Sequence, residues 1–269
     1  LSLVGSEMCI RDSWLNCPLA PRLEATLPEK PSEYAHEGTV AHSVCEIAAK
    51  KKFKKAKAAE YNRVIKKLKT DEVWDDEMLH TAETYVEHLT ERAMEFANEP
   101  YIAFEVKVDI SDYVPEAFGR CDCVMFGGDT LIITDYKHGK GVEVSADHNP
   151  QMMLYALGAL EIFDALYDID TITMTIYQPR RSNVSTYTVS TAELLEWAET
   201  VLKPTAALAF SGEGEFHCGE WCQFCKAKAD CRERARANLA LAAYDFAEPP
   251  LLTDEEIEEV LAKVDDLVS

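Results

Sequence analysis

The sequence predicts a mixed α/β protein in which a central mixed sheet is flanked by helices. Apolar residues at helical spacing come first, and one long helix is expected over residues 71–98. β-Branched and aromatic residues then alternate through residues 101–110, 118–126 and 130–136, and a further helical segment follows at 147–166. A helix that follows a strand meander is typical of mixed α/β folds rather than of all-helical or all-β proteins.

The remaining elements follow from the residues that begin or end them. A helix starts near Gly38 and runs into a basic stretch, and the long helix ends before Pro100, since proline disfavours helical backbone at the preceding residue. Gly127-Gly128-Asp129 predicts a tight hairpin between the second and third strands. Two more strands are expected at 171–177 and 184–189.

Two later helices are predicted to begin with capping boxes, in which a hydroxyl and a carboxylate three residues apart bind each other's backbone amides. Ser190 with Glu193 begins a helix that runs to about Phe210. Thr253 with Glu256 begins an acidic amphipathic helix. The predicted order is therefore helices, three strands, a helix, two strands and further helices.

The length of 269 residues suffices for one large domain, and 47% hydrophobic with 28% charged residues is typical of a globular protein. No run approaches the ~20 apolar residues that a membrane-spanning helix needs, so we expect no membrane partner and a cytoplasmic location. Residues 1–13, including Cys9, resemble translated sequencing-adapter sequence and are predicted to be non-native. We expect one domain over residues 14–240 and an acidic tail or helix over 241–269.

Charge is distributed unevenly along a chain whose net charge is −21. Ten Lys or Arg residues and a single acid, Glu60, lie between Lys50 and Lys69, whereas residues 248–269 contain eight acids and one lysine. The net charge argues against a protein that coats nucleic acid through global attraction. The basic stretch is either a solvated helix face or a local phosphate-binding surface, and the sequence favours neither.

Three residues of the predicted hairpin have the composition of a divalent-metal site. If Gly128-Asp129 is a two-residue turn, paired positions sum to 257, which places Asp122 opposite Asp135 with Cβ atoms ~5 Å apart. Two buried carboxylates that close repel each other unless a cation lies between them, and Mg²⁺ or Mn²⁺ prefers such oxygen ligands. Lys137 leaves the strand on the same face as Asp135 and suits a metal-bound water or a phosphate. An ordinary polar hairpin with an Asp–Lys pair is the alternative.

The flanking residues resemble the motifs of RecB-like nucleases of the PD-(D/E)XK superfamily. Gly119-Arg120-Cys121-Asp122 and Ile132-Ile133-Thr134-Asp135-Tyr136-Lys137 are similar to the paired motifs of that family. Further matches, in the family's order, are His42, Glu105, Gln151 and Tyr155. The resemblance covers residues 14–236, and it is nearest to a phage and prophage family of this type whose members open with Trp-Leu-Asn-Cys-Pro.

The resemblance implies a restriction-endonuclease-like core and a metal-dependent DNA nuclease. The expected activity is that of an exonuclease on single strands or duplex ends, in phage DNA replication or recombination. DNA is the implied partner, and phage replication or recombination proteins are further candidates.

The resemblance also implies a role for each matching residue. The implied ligands of Mg²⁺ or Mn²⁺ are His42, Glu105, Asp122 and Asp135. The implied catalytic residues are Asp122, Asp135, Lys137, Gln151 and Tyr155. In these roles Lys137 would orient the attacking water, while Gln151 and Tyr155 would position the DNA strand.

Four of the nine cysteines have the spacing of a metal or cluster site. Cys222, Cys225 and Cys231 form a close triplet that needs a fourth ligand, which is either the neighbouring Cys218 or the distant Cys17. The resemblance favours Cys17, because CRISPR-associated RecB-like exonucleases hold a [4Fe–4S] cluster with one early and three late cysteines. Zinc is the alternative metal, since four thiolates suit either. The basic residues predicted to contact DNA phosphates beside this site are Lys226, Lys228 and Arg232.

Two other functions stay open. A catalytically silent nuclease-fold module could bind DNA or recruit a recombination partner, although such a module has no need of the carboxylates of Asp122 and Asp135. A zinc-binding regulatory protein would instead use Cys218 together with the later triplet.

Overall fold

The computed structural model describes residues 13–28, 33–163, 168–242 and 252–268. The helices before the sheet are α1 (Ser13–Asn16), α2 (Ala20–Glu24), α3 (Glu33–Lys52), α4 (Ala58–Leu68) and α5 (Glu77–Met94). Cys9 and nearly all of the segment predicted to be non-native, 1–13, lie outside the described residues.

A five-stranded mixed sheet forms the centre of the fold, in the spatial order β1-β2-β3-β4-β5. Its strands are β1 (Tyr101–Asp109), β2 (Phe118–Gly127), β3 (Thr130–Tyr136), β4 (Thr171–Gln178) and β5 (Asn183–Ser190). The first three strands form an antiparallel meander, α6 (Pro150–Phe163) follows, and β4 pairs parallel to β3 before β5 returns antiparallel. The predicted mixed α/β fold, with a helix after a strand meander, is confirmed.

The helices after the sheet are α7 (Thr191–Trp197), α8 (Lys203–Ser211), α9 (Arg232–Ala242) and α10 (Asp254–Val268). A π-helical turn at Ala198–Leu202 joins α7 to α8, and a 3₁₀ turn at Glu220–Phe224 lies between α8 and α9. Both predicted capping boxes are present, at the starts of α7 and α10. No helix in the described part of the chain combines the length and the apolar character that a bilayer span requires.

Helices bury both faces of the sheet. On one face, Val124 and Ile133 belong to a buried cluster that includes most of α6. On the other face, Met125 and Ile132 belong to a second cluster that includes α3 and α5. Because successive strand residues point to opposite faces, two covered faces require apolar residues at consecutive positions, which is what β2 and β3 carry. The two helix layers bring α3 and α6 to the same end of the central strands.

Three predicted helix starts are wrong. α3 begins at Glu33 rather than near Gly38, and the other two are those of α5 and α6. Local hydrogen bonds explain the start of α5. α5 begins at Glu77 rather than at Asp71. Asp71 Oδ1 accepts a hydrogen bond from Val73 N at 3.2 Å. Asp75 Oδ1 likewise accepts one from Glu77 N at 2.8 Å, so both aspartates stabilise turns in place of the first helical turns. α6 begins at Pro150 rather than near Asp147, and its predicted last residues, 164–166, lie outside the described residues.

The first long helix runs into the basic stretch, as predicted, but the stretch itself is divided between two helices. α3 ends at Lys52, and Lys54 then takes a left-handed backbone conformation with φ of 59° before α4 begins at Ala58. The basic residues are therefore divided between the end of α3, the short connection and α4.

Candidate functional site

An open pocket of about 220 Å³ lies where α3, α6 and the first three strands meet. The residues that line it are Thr39, His42, Ser43, Glu46, Glu105, Arg120, Asp122, Asp135, Lys137, Gln151 and Tyr155. Every residue predicted as catalytic, or as a ligand of Mg²⁺ or Mn²⁺, is among them.

Three of these side chains are close enough to share one cation. His42 of α3, Glu105 of β1 and Asp122 of β2 each offer a ligand atom, and these atoms lie within 4.8 Å of one another. His42 Nδ1 lies 3.1 Å from Asp122 Oδ1, and the Tyr136 N–H donates to Asp122 Oδ2 at 2.7 Å. Both oxygens of Asp122 are thus oriented, one by α3 and the other by β3. One imidazole and two carboxylates form a donor set that suits Mn²⁺ or Mg²⁺.

Glu105 and Asp122 lie on the same rung of β1 and β2. The rungs on either side of it are Phe104–Cys123 and Val106–Cys121. The first of these rungs packs toward α3 and α5, whereas the second packs toward α6, so both strands exchange faces at Glu105 and Asp122. Glu105 has a left-handed φ of 54°, a conformation that costs a non-glycine residue on the order of 1 kcal/mol or more. The two carboxylates therefore lie at a strained position, where β1 and β2 exchange the sheet faces against which they pack.

A chain of polar contacts runs along the pocket beside these ligands. Lys137 Nζ lies 3.0 Å from Asp135 Oδ2 and donates to Gln151 Oε1, also at 3.0 Å. Gln151 Nε2 donates in turn to Tyr155 Oη at 2.8 Å. Gln151 and Tyr155 are one turn apart on α6 and share a face of that helix. The ammonium of Lys137 is thus held between a carboxylate and an amide.

Short-range features of the sequence place Gln151 and Tyr155. A Cβ atom at Gly119 would lie 2.6 Å from Tyr155 Cε1, so the absence of a side chain there lets the tyrosine ring rest against β2. At the start of α6, Asn149 Oδ1 accepts a hydrogen bond from Met152 N at 3.2 Å. Pro150 occupies the first helical position, where a missing N–H costs nothing.

Burial and nearby charges raise the pKa of two carboxyl groups in the pocket. Burial raises the pKa of Glu105 to about 7, and the carboxylate of Asp122 adds to the effect. Burial also raises the pKa of Asp135, in spite of the adjacent Lys137 ammonium, and Asp122 again contributes. When ionised, these carboxyl groups place negative charges close together, and a divalent cation would reduce the repulsion between them.

Asp122 and His42 shift in the opposite sense because they stabilise each other. Burial alone would raise the pKa of Asp122, but His42 and the Tyr136 N–H hold it below its ordinary value. Burial alone would lower the pKa of His42, but the charge of Asp122 raises it to about 8. A protonated imidazole therefore balances this carboxylate where a metal ion would otherwise do so.

The predicted hairpin register is confirmed. The β2–β3 pairs run from Gly127–Thr130 to Cys123–Thr134, so that every paired position sums to 257. The predicted opposition of Asp122 and Asp135 falls one rung beyond the last of these pairs. Among the described residues, the compact group of ligand atoms contains Asp122 but not Asp135, whose side chain pairs with Lys137.

Four residues of the pocket were missed in the sequence. They are Thr39, Ser43, Glu46 and Arg120. Thr39 and Glu46 lie three residues before and four after His42, so helical periodicity around that histidine would have found them. Ser43 lies one turn after Thr39 on the same helix. Arg120 Nη1 lies 3.7 Å from Glu105 Oε2 at the mouth of the pocket, and Glu46 forms an ion pair with Lys50.

A second and smaller pocket, of about 20 Å³, gathers the cysteines predicted to bind a cluster. The cysteines that line it are Cys17, Cys222, Cys225 and Cys231. The His217 N–H donates to Cys17 Sγ at 3.4 Å, so the first cysteine lies against the segment that carries the other three. Burial raises the pKa of Cys17, and burial together with Glu24 raises the pKa of Cys225 to about 12. A metal would therefore have to displace protons from these thiols.

Two contacts fix α2 against the later part of the chain beside this pocket. Arg22 Nη2 donates to the carbonyls of Phe210 and Ser211 at 3.1 and 2.5 Å, and so caps the end of α8. Glu24 Oε1 accepts a hydrogen bond from Lys226 N at 2.8 Å. The early and late cysteines are thus brought together by contacts that do not involve a metal.

The spacing of the sulfur atoms can be compared with that of a single zinc site. A tetrahedral zinc with Zn–S bonds of ~2.3 Å places its sulfur ligands ~3.8 Å apart. Cys218 Sγ and Cys222 Sγ are 3.9 Å apart. In the described part of the chain, however, no three cysteine sulfurs lie within 4.8 Å of one another. As placed, the cysteines therefore do not form a ready-made tetrahedral zinc site.

The basic residues beside the cysteines differ in exposure. Lys226 and Arg232 are exposed, whereas Lys228 is half-buried and its Nζ donates to the Gln223 carbonyl at 3.1 Å. Lys226 and Arg232 are therefore accessible to a phosphate, whereas Lys228 is hydrogen-bonded to a nearby backbone carbonyl.

Comparison with known proteins identifies one family. The family model described as "Protein of unknown function (DUF2800)" matches residues 8–269. A solved structure titled "Crystal structure of SSO0001" is 14% identical, with 84% of this chain and 98% of that chain covered, at a TM-score of 0.28. A TM-score that low carries no argument about fold or function.

Proposed function

We propose that this chain, which belongs to the DUF2800 family, is a metal-dependent deoxyribonuclease of the RecB-like PD-(D/E)XK type. The observation that carries the proposal is one pocket in which the ligand atoms of His42, Glu105 and Asp122 lie within 4.8 Å of one another beside Lys137. The fold is compatible with it, because a central mixed sheet flanked by helices is what the resemblance implies.

The donor set fits Mn²⁺ or Mg²⁺. The two carboxylates of Glu105 and Asp122 suit either ion, and the imidazole of His42 adds a preference for Mn²⁺. Burial, followed by the carboxylate of Asp122, raises the pKa of Glu105, and a bound cation would favour its charged form. When bound, the ion would polarise a phosphate and lower the pKa of a coordinated water.

The side chains around the ligands suit phosphodiester hydrolysis. Lys137 directs its ammonium into the pocket from between Asp135 and Gln151, where it would orient the attacking water and stabilise charge on the phosphate. As the water oxygen bonds to phosphorus, the bond from phosphorus to one ester oxygen breaks, and that oxygen leaves with a proton. Gln151 and Tyr155 line the adjoining wall and would bind the sugar and phosphate next to the cleaved bond.

We further propose that the cysteine pocket holds a [4Fe–4S] cluster. Four thiolates are the usual ligand set of such a cluster, and four cysteines line this pocket. Held there, the group would join the α1–α2 region to the segment before α9 and serve a structural role. A local zinc site is the alternative that the 3.9 Å separation of Cys218 and Cys222 favours.

Cleavage assays on labelled DNA test the proposed function. Anaerobically purified protein with Mn²⁺ should cleave single- or double-stranded DNA labelled at the 5′ or 3′ end. Asp122→Asn and Lys137→Ala should each lower the rate by about 100-fold or more. Asp112→Asn and Lys107→Ala change exposed residues outside the pocket and serve as controls that should keep the activity.

Two results would overturn the nuclease proposal. Equal cleavage by the wild type and both pocket variants would place the activity elsewhere or in a contaminant. Tight DNA binding by a wild type that never cleaves, at any Mn²⁺ or Mg²⁺ concentration, would favour the catalytically silent DNA-binding module.

A further inference from the structure

The α3–α4 region presents a concentration of exposed positive charge on a chain whose net charge is −21. The exposed cations of this region, called here the basic surface, are Lys51, Lys52, Lys54, Lys55, Lys57, Arg63, Lys66, Lys67 and Lys69. Lys69 lies 3.5 Å from Asp76. Within the described part of the chain, no acidic side chain forms an ion pair with the other eight. The ammonium groups of Lys51, Lys55 and Lys69 lie over the rings of Tyr61, Tyr101 and Trp74. Most of the charge of the basic surface is therefore not neutralised by acidic side chains.

Helix stability explains only part of this charge. Lys51 and Lys52 in the last turn of α3, with Lys66 and Lys67 in the last turn of α4, gain about 0.3–1 kcal/mol each from the helix dipole. Lys57 is the N-cap residue of α4, where the same dipole disfavours a cation.

Further features of α4 are also unfavourable in the isolated chain. Arg63 lies three and four residues before Lys66 and Lys67, so three like charges are neighbours on the exposed face of α4. The opposite face of the helix is apolar, and its Ile65 is buried against the core of α3 and α5. Packing thus fixes the orientation of α4 and leaves the cations outward, an arrangement that an anionic partner would stabilise.

The basic surface continues from the wall of the candidate metal centre. Glu46 lines the pocket and pairs with Lys50 one turn further along α3. From His42 to Lys52 the rise along the helix is ~15 Å. That distance corresponds to roughly four nucleotides at the ~3.4 Å spacing of one strand of a duplex, and to fewer in an extended single strand. A strand with one phosphate at the metal centre would therefore reach the basic surface about four nucleotides away.

We infer that the basic surface binds the phosphate backbone of the DNA strand that occupies the pocket, beyond the nucleotides held at the metal centre. The inference rests on the proposed function for the identity of the strand. A nucleic acid is favoured over an anionic membrane because no large apolar side chain is exposed in residues 50–69, so the surface has nothing to insert between lipids. The remaining attraction is one of charge alone, which is how proteins bind a phosphate backbone without reading its sequence.

The test compares two fourfold variants of the full chain. Lys54→Gln, Lys57→Gln, Arg63→Gln and Lys66→Gln together remove four charges from the basic surface. Lys107→Gln, Lys140→Gln, Lys203→Gln and Arg236→Gln remove four charges elsewhere. The dissociation constant for fluorescent single-stranded DNA is measured with EDTA present, so that binding is recorded without cleavage, over a range of salt concentrations.

For a 30-nucleotide strand we expect the first variant to bind about tenfold more weakly or worse than the control variant. The slope of log affinity against log salt should fall by about 3, which is four contacts at ~0.7 each. A 4-nucleotide strand can contact fewer of the cations at once, so its affinity should differ less between the two variants. Should the fourfold variant lose its circular-dichroism spectrum, Lys54→Glu with Lys57→Glu, in the α3–α4 connection, replaces it.

The outcomes separate this inference from the nuclease proposal. Cleavage of DNA by the wild type, with equal affinities and salt slopes for both variants, would overturn the inference and leave the nuclease intact. Charge-dependent binding without any cleavage would leave the inference standing and remove the nuclease. Loss of binding to phosphatidylserine vesicles, with DNA binding unchanged, would assign the basic surface to a membrane and overturn the inference as well.

Discussion

Glu105 and Asp122 face each other across β1 and β2 at a rung where both strands exchange the sheet faces against which they pack. The left-handed φ of 54° at Glu105 accompanies that exchange on β1. Their carboxylates belong to the same compact ligand group as His42. The strained backbone and the candidate metal ligands therefore lie on the same rung of the sheet. Backbone strain of this kind clusters at functional sites, where it lowers stability and holds a required geometry.

Replacing Glu105 should separate its backbone cost from its ligand role. Glu105→Gly adopts a left-handed φ without steric cost, whereas Glu105→Gln keeps the strain and loses the charge. We expect the free energy of unfolding of the glycine variant to be about 1 kcal/mol higher than that of the glutamine variant. Both variants should bind Mn²⁺ more weakly than the wild type. Urea denaturation and Mn²⁺ titration measure the two effects. A glutamine variant more stable than the glycine variant would show that this backbone is not strained.

Mn²⁺ affinity should rise with pH and level off near pH 8. His42, with a pKa of about 8, and Glu105, with a pKa of about 7, must both lose a proton before they can ligate the ion. The log of the affinity should therefore rise by up to about two per pH unit below pH 7, and by about one between pH 7 and 8. Calorimetry in buffers of different ionisation enthalpy counts the protons released. His42→Ala should lower that count by one, and an unchanged count would contradict the assignment.

Acid should destabilise the fold in part through His88. This side chain is 7% exposed and stacks on Tyr177 at 4.8 Å, and burial followed by the charge of Arg92 lowers its pKa to about 4. The unfolded chain has the ordinary pKa of ~6.5 and binds the proton first, so stability present above pH 6.5 is lost as pH falls toward 4. We expect that loss to be on the order of 2 kcal/mol, after allowance for solvent screening.

Thermal unfolding of His88→Phe between pH 4 and 7 tests this origin. The phenylalanine keeps the ring stack and removes the titration, so the stability of the variant should depend less on pH than that of the wild type. His148→Gln changes an exposed histidine and should keep the full dependence. Identical curves for His88→Phe and the wild type would place the acid sensitivity elsewhere.

Gly158 should not tolerate a larger residue. A Cβ atom there would lie 2.7 Å from Val108 Cβ and 3.0 Å from the Asp109 carbonyl oxygen, so α6 would have to move away from β1. We expect Gly158→Ala to lower the free energy of unfolding by about 1–3 kcal/mol, as overpacking does. Gly139→Ala is the matched control, because nothing lies within 4 Å of the added atom. Equal stability of the two variants would show that α6 can retreat without cost.

Iron content should depend on Cys17 and not on Cys218. Cys17→Ser removes one of the four thiols that line the small pocket, and we expect anaerobically purified variant to lose most of its iron and sulfide. Cys218→Ser should retain both, since Cys218 does not line that pocket. Metal analysis distinguishes the outcomes. Stoichiometric zinc that survives Cys17→Ser and is lost in Cys218→Ser would establish the local zinc site instead.

Short-range patterns in the sequence were enough to predict the sheet and its register. Gly128 takes a φ of 62°, as a two-residue hairpin turn requires, and the turn alone fixes which residues of β2 and β3 pair. The capping boxes at α7 and α10 were equally local and are present. The set of pocket residues came instead from motif resemblance, because His42 and Asp122 are 80 residues apart and no local pattern joins them.

Other features could not be predicted because they depend on tertiary contacts. The left-handed Glu105 lies within a regular-looking strand sequence, and nothing local distinguishes it from its neighbours. Arg120 alternates with Gly119 and Cys121 as an ordinary strand residue, and only the assembled pocket shows it near Glu105. The start of α5 was misplaced because the side chains of Asp71 and Asp75 compete with helical hydrogen bonds, an effect that apolar periodicity does not report.

The small cysteine pocket combines parts of the chain that are translated far apart in time. His217, whose N–H contacts Cys17, is made 200 residues after that cysteine. At roughly 5–20 residues per second, a ribosome needs on the order of 10–40 s to cover that interval. During that interval Cys17 is a thiol without the later cysteines, and it is open to oxidation or to mispairing with another nascent chain. Any cofactor of this pocket must therefore be delivered late, and oxygen during translation should harm the yield of folded protein more than oxygen afterwards.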